Sequence, residues 1–228
     1  MTYTKSKVKY KISIIGDSIS TYIGFNPYDY PVYYKDDRAY DNEIESVDDT
    51  WWKQVIDNVG GELCVNNSYS GSLVAGNYES SACSAERCSM LHTSDVTPDI
   101  ILIYIGTNDR GFEVNVGIES PNDTQNFYGA YRAMLRQLKT NYPAAKIICA
   151  TLLMGKLKDT VDLAYDRFMR EDNRYNEAIR LAVKEESCLL ADIARSDERY
   201  ETLDYCHPTK CGHKLIADLW GKALKILL

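Results

Sequence analysis

The sequence predicts an α/β protein, a three-layer sandwich in which a parallel β-sheet is covered by helices on both faces. Three observations predict it. Short apolar runs and amphipathic helical stretches alternate five times along the chain. The strongest run, Ile100-Ile101-Leu102-Ile103-Tyr104-Ile105, is continuously apolar, the pattern of a central strand buried on both faces. Three of the runs end in polar, glycine-containing breaks, as expected at the carboxyl edge of a parallel sheet, where ligands collect.

The first strand is Ile12-Ser13-Ile14-Ile15, broken by Gly16-Asp17-Ser18, where a glycine lets the backbone turn without a Cβ clash. A tract without periodicity, 22–49, follows. It holds Tyr22, Tyr28, Tyr30, Tyr33, Tyr34 and Tyr40, two prolines and an acidic stretch from 36 to 49. Loops this long carry function or move. Tyrosine, apolar in body and polar at its tip, suits the face and hydroxyls of a sugar as well as it packs a loop down. Asp49 or Thr50 then caps a helix with Trp52, Val55, Ile56 and Val59 on one face, stopped by Gly60-Gly61.

Leu63, Cys64 and Val65 form a second strand, ending in the loop Asn66-Asn67-Ser68-Tyr69-Ser70-Gly71. A small-residue region, 72–89, leads into a short helix over 84–92. The central strand at 100–105 ends in Gly106-Thr107-Asn108-Asp109. Thr124 caps a helix whose face is Phe127, Tyr131, Met134 and Leu138, closed by Pro143. Residues 146–153 are the fourth strand. After a charged stretch, Tyr175, Ile179 and Val183 mark a helix over 172–186, and 188–192 is the fifth strand. Thr209 caps a terminal helix that turns Leu215, Ile216, Leu219, Ala223, Ile226 and Leu227 inward.

With 228 residues, 45% of them hydrophobic, the chain can bury one sizeable core. No linker or repeat divides it, so residues 1–228 read as a single domain. The net charge of −7 argues against a nucleic-acid surface, which needs clustered Lys and Arg. No stretch approaches the roughly 20 apolar residues of a membrane span. Residues 1–11 carry lysines but no apolar core of a secretory signal. Seven cysteines, an odd number, show no disulfide-framework spacing. The expectation is a reduced, cytoplasmic protein without nucleic-acid or membrane partners.

The chemistry gathers at three of the strand ends and at Leu203-Asp204-Tyr205-Cys206-His207-Pro208, just before the terminal helix. A serine at the end of the first strand can put its hydroxyl into the crevice, but it needs a base within hydrogen-bond reach. His207 supplies one. Asp204, three residues earlier, can fix its tautomer and steady the imidazolium, and Pro208 stiffens the turn between strand and helix. Acyl transfer also needs donors for the oxyanion. The backbone N–H of Ser18, the backbone N–H of Gly71 and the uncharged amide of Asn108 are the candidates.

Gly16-Asp17-Ser18, Gly71, Gly106-Thr107-Asn108-Asp109 and Asp204-x-x-His207-Pro208 resemble the four blocks of the SGNH hydrolase (GDSL esterase/lipase) superfamily, in the family's order. The resemblance implies a flavodoxin-like, five-stranded parallel sheet. It implies Ser18 as nucleophile, His207 as base, Asp204 as its orienter, and an oxyanion hole of Ser18, Gly71 and Asn108. It implies no metal and no organic cofactor. One departure is an isoleucine after Gly-Asp-Ser where the family has leucine, apolar for apolar. Asp17 reads as a structural residue bonding nearby backbone N–H groups. With Tyr22 and Arg87 it is also a candidate substrate-binding side chain.

Three other readings compete. Cys83-x4-Cys88 and Cys206-His207-x3-Cys211-x-His213 suggest a zinc site, although structural zinc favours closer pairs and would take His207 from its role as base. Cysteines serving as small hydrophobes are the ordinary alternative. A non-catalytic glycan-binding module could keep the fold, but binding would not require Ser18, Asp204 and His207 together. A lysophospholipase or thioesterase would need a contiguous apolar lining. Here the loops are rich in Tyr, Ser and Asn, and the chain has only four Phe. The expected function is therefore hydrolysis of short-chain esters, acetyl above all, on a small-molecule or oligosaccharide partner.

Overall fold

In the computed structural model, residues 9–35, 42–158 and 172–228 are described. Tyr40 and the first part of the expected acidic stretch, residues 36–41, lie outside them, as do residues 159–171 of the charged stretch that follows the fourth strand. The central sheet has five strands, all parallel, in the order β2-β1-β3-β4-β6. These are β1 (Lys11–Gly16), β2 (Glu62–Ser68), β3 (Ile100–Tyr104), β4 (Lys146–Ala150) and β6 (Leu189–Ala191). Their isoleucines fill the interior. Ile12, Ile14, Ile15 and the whole of β3 are buried. Burial of a side chain of this size is worth about 1.5–3 kcal/mol.

Six helices are described: α1 (Trp51–Asn58), α2 (Ala85–Ser89), α3 (Thr107–Gly111), α4 (Phe127–Asn141), α5 (Arg174–Glu185) and α6 (Lys210–Leu227). α1 packs on α6, and α4 packs on both α2 and α5, giving the layers on either side of the sheet. Trp51 stacks on Trp220 at 5.4 Å between α1 and α6. The expected face of α4 is buried throughout: Phe127, Tyr131, Met134 and Leu138 are all inaccessible.

The departures from the sequence reading have local causes. β2 does not stop at Val65 but runs on through Asn66, Asn67 and Ser68, all three buried. A bulge makes this possible, since Ile12 pairs with Leu63 whereas Ile14 pairs with Asn66. The polar strand end is satisfied by tertiary bonds, including Asn66 Nδ2 to the Ser20 carbonyl at 2.9 Å. β4 ends at Ala150, and the chain continues into β5 (Met154–Leu157), which pairs in parallel with β7 (Arg199–Thr202) as a separate two-stranded sheet. Neither β5 nor β7 stands out in the sequence.

One expected cap is relocated: Thr124 does not cap α4, whose N-cap position is Asn126. Thr50 does stand at the N-cap of α1 but without a side-chain bond to the helix. Its hydroxyl bonds back to the Val47 carbonyl, and the first N–H of α1, that of Trp51, is accepted by Nδ1 of His213 from α6 at 3.1 Å. Thr209 does cap α6, accepting the Gly212 N–H at 3.2 Å.

Candidate active site

β1 delivers Ser18. After Gly16 the chain enters a 3₁₀ turn, Ser18–Ser20, whose N-cap is Asp17. Oδ1 of Asp17 accepts the Ile19 N–H at 3.0 Å. The reason for glycine at position 16 is proximity rather than a special turn. A Cβ there would lie 2.5 Å from the Ser20 side chain and 2.8 Å from Ser68 Oγ. Ser20 in turn accepts the indole N–H of Trp51 at 3.1 Å, so the turn that carries Ser18 rests directly on the α1–α6 core.

β7 delivers Asp204 and His207. Thr202 and Pro208 form an isolated antiparallel bridge, which closes the intervening residues into a tight loop. Tyr205 takes a left-handed conformation at its tip, φ 70°. Within the loop, Asp204 Oδ1 accepts the N–H groups of Cys206 at 3.1 Å and His207 at 2.7 Å, and the Thr202 hydroxyl at 3.0 Å. Oδ2 accepts from His207 Nδ1 at 2.7 Å and from the Tyr33 hydroxyl at 2.7 Å. Partial burial works against the ionised carboxylate, but the donors from His207 and Tyr33 outweigh it and hold Asp204 well below the usual carboxylate range. On the far side of the imidazole, Nε2 lies 2.8 Å from Ser18 Oγ.

Because β1 lies between β2 and β3 in the sheet, Ser18 is flanked by the loops that carry Gly71 and Asn108. Gly71 has φ +80°, a conformation L side chains rarely adopt, and a Cβ there would meet open space. Among the described residues, neither the Ser18 N–H nor the Gly71 N–H has a hydrogen-bond partner. Asn108 Nδ2 donates one hydrogen to the Ser72 carbonyl at 2.9 Å, which leaves its second for another acceptor. Asp109 reinforces the same junction by accepting the Val74 and Ala75 N–H groups at 2.8 and 3.0 Å. Burial pushes the Asp109 carboxyl up to about 7 against those two bonds.

The three residues expected to touch substrate are placed differently. Arg87 has no exposed surface. Its five N–H donors are spent on Asn67 Oδ1, Ser72 Oγ and the carbonyls of Ser80, Gly16 and Asn67. It braces the ends of β1 and β2 and has none left for a ligand. Tyr22 is buried in the core, its ring at 67° to that of Phe25 with centroids 6.0 Å apart. Asp17 is buried too, in the N-cap role given above.

The residues of the zinc reading are engaged or apart. His207 faces Ser18 and Asp204, His213 accepts from Trp51, Cys83, Cys88 and Cys206 are buried, and Cys211 is exposed. No three His, Cys, Asp or Glu side chains among the described residues form a group that could hold a metal ion. A cleft of about 610 Å³ opens beside α3, lined by Arg110, Leu153, Asp172, Asn176 and Arg180 among others, but Ser18, His207 and Asp204 do not line it.

Tyr33 was one of six tyrosines in an aperiodic tract, with nothing in the sequence to single it out. Its ring lies flat on the His207 imidazole, centroids 3.4 Å apart and planes 10° from parallel.

The arrangement sets a serine hydroxyl, an imidazole and a carboxylate in line beside three N–H donors on adjacent strand ends. It can transfer an acyl group through a tetrahedral intermediate. The likeness to known proteins agrees with it in kind. A family model described as GDSL-like lipase/acylhydrolase matches residues 10–177. No curated protein matches the chain. Among solved structures, a GDSL-like lipase from Bacteroides uniformis is 25% identical with a TM-score of 0.75, covering 96% of each chain. One from Bacteroides ovatus is 23% identical with a TM-score of 0.76, covering 96% of this chain and 99% of the other. A family two carbohydrate esterase from Clostridium thermocellum is 18% identical with a TM-score of 0.58, covering 95% of this chain and 63% of its own. Among the described residues, no helix is long and apolar enough to cross a membrane. By the extent of the family match and the order of its motifs, this chain belongs to the GDSL-like lipase/acylhydrolase family of hydrolases.

Proposed function

We propose that the protein is a serine esterase that removes short acyl groups, acetyl foremost, from hydroxyls of carbohydrate. The observation that carries this reading is the continuous relay from Asp204 Oδ2 through both nitrogens of His207 to Ser18 Oγ, at 2.7 and 2.8 Å. In the proposed reaction His207 Nε2 takes the Ser18 proton as Oγ bonds the ester carbonyl carbon. The oxyanion that forms is met by the N–H groups of Ser18 and Gly71 and by the second Asn108 amide hydrogen. Asp204 holds the imidazolium in place. His207 then returns its proton to the leaving alcohol oxygen as the ester bond breaks, leaving acyl-Ser18. Water, deprotonated by the same nitrogen, attacks that ester, and Ser18 leaves as the free hydroxyl with the carboxylic acid released.

The choice of a polar, sugar-like alcohol is supported by the tyrosines around the crevice. Tyr30 and Tyr69 lie with ring centroids 4.8 Å apart beside the Gly71 loop, faces and hydroxyls that suit a pyranose. The fold is one that a carbohydrate esterase also uses. The test is a panel of O-acetylated oligosaccharides incubated with the purified protein, read as released acetate and as position of deacetylation. Turnover is expected on at least one glycan class, lost in Ser18→Ala. Glycan binding without acetate release by the wild type would favour a binding module instead.

A further inference from the structure

We propose that Tyr33 is the positioning residue for His207, acting through its hydroxyl on Asp204 and through its ring on the imidazole. The proposal rests on the reading of Ser18, His207 and Asp204 as the reacting groups. Three relationships place Tyr33 there. Its hydroxyl donates at 2.7 Å to Asp204 Oδ2, the oxygen that also accepts from His207 Nδ1. Its ring is stacked on the imidazole at 3.4 Å. Its backbone N–H donates at 2.9 Å to the Thr21 hydroxyl, which donates at 2.9 Å to the Ser18 carbonyl.

The result is a clamp between the two ends of the sequence. The nucleophile turn comes from β1, and the loop bearing Asp204 and His207 comes from β7. The dipeptide Tyr33-Tyr34 bonds to both: Tyr33 as just described, and Tyr34 through its hydroxyl to the Pro208 carbonyl at 2.9 Å. The buried Tyr34 ring packs on Tyr33 at 83°, centroids 4.9 Å apart, which backs the stacked ring with a buried neighbour.

An imidazole on a surface loop is free to turn about its two side-chain torsions, and only one orientation points Nε2 at Ser18. A ring held flat against one face removes the motion out of that plane. A donor on Asp204 Oδ2 fixes where the carboxylate sits and so fixes the rotation within the plane. One face of the ring is covered by His207, so its contact with the imidazole is made before any substrate arrives, and its effect is expected on turnover.

The experiment compares Tyr33→Phe and Tyr33→Leu with wild type and with Ser18→Ala, by steady-state hydrolysis of p-nitrophenyl acetate and by thermal unfolding. Tyr33→Phe keeps the stack and loses only the hydroxyl, so kcat should fall about 5- to 10-fold. Tyr33→Leu loses both contacts, and kcat should fall about 100-fold. KM should stay within about threefold in both. Partial rescue by Phe at unchanged KM is a split that a merely structural tyrosine would not produce. If Tyr33→Leu does not fold, Tyr33→Phe decides alone. With Ser18→Ala inactive, a kcat within twofold of wild type for Tyr33→Phe and within threefold for a folded Tyr33→Leu overturns the positioning role. So does an effect confined to KM. Activity retained by Ser18→Ala would instead overturn the reading of the reacting groups, and this proposal with it.

Discussion

The side-chain amide of Asn108, at the start of α3, donates at 2.9 Å to the carbonyl of Ser72, the residue after Gly71. One hydrogen bond thus ties together the two loops that carry the proposed outer oxyanion donors, and it orients the remaining Asn108 hydrogen. In Asn108→Ala the donor and the tie are both lost. The expected outcome is a fall in kcat of roughly 10² to 10³, the usual loss for one oxyanion donor, with little change in KM. Steady-state kinetics on p-nitrophenyl acetate checks it. A change in KM alone would make Asn108 a residue that positions substrate.

Ser18→Ala removes a hydroxyl whose hydrogen-bond partner is His207 Nε2, while the backbone bonds of its turn remain. The protein should fold with an unchanged melting temperature and lose kcat on the order of a million-fold. A residual rate within tenfold of wild type would place the nucleophile elsewhere.

Acyl length discriminates between esterases of this fold. Each buried methylene is worth about 0.8 kcal/mol, so an apolar acyl groove would favour longer chains stepwise. The loops that follow β1 and β2 present tyrosines, serines and asparagines, and kcat/KM is expected to be highest for acetyl and to fall from butyryl to octanoyl p-nitrophenyl esters. An optimum at octanoyl or beyond would turn the assignment to a lysophospholipase or thioesterase.

Two buried groups make opposite contributions to stability in acid. Burial pushes Asp17 from 3.8 up to about 6, although the Ile19 N–H and His207 oppose it. Between those pH values the folded protein keeps a proton that the unfolded chain has released, so this contribution to stability falls as pH rises. Burial, aided by His207, pushes His213 from 6.5 down to about 3. In that window the unfolded chain takes up a proton that the folded protein refuses, so this contribution falls as pH drops. Asp17→Asn should remove one of the carboxyls that oppose His213 and steepen the loss of stability from pH 6 to 4. His213→Leu should make it shallower. Each change in slope amounts to something of order 2 kcal/mol across the window. Asp109, raised by burial and in small part by Asp17, opposes His213 as well and remains in both variants. Urea unfolding at pH 4, 5, 6 and 7 measures the slopes, and parallel lines for all three proteins would refute the assignment.

The parallel sheet was legible in the sequence. Runs such as Ile100 to Tyr104, bounded by turn residues and too short for a helix, suit strands buried on both faces. That Ser18, Asn108 and His207 would converge was legible because each follows closely on, or precedes, a glycine or proline that ends an element. What depends on distance along the chain was not legible. Arg87 looked like a cation for substrate, yet the polar end of β2 and the carbonyl of Gly16 use all five of its donors. The cap of α1 comes from His213, 162 residues after Trp51. β5 and β7 are four residues each and pair with one another apart from the main sheet, too short for periodicity to mark them. Tyr33 became distinct from its five neighbouring tyrosines only when the fold laid its ring on His207. Local pattern reports what a segment must bury. Which partner satisfies a given polar atom is settled only when the tertiary structure brings remote segments within 3 Å.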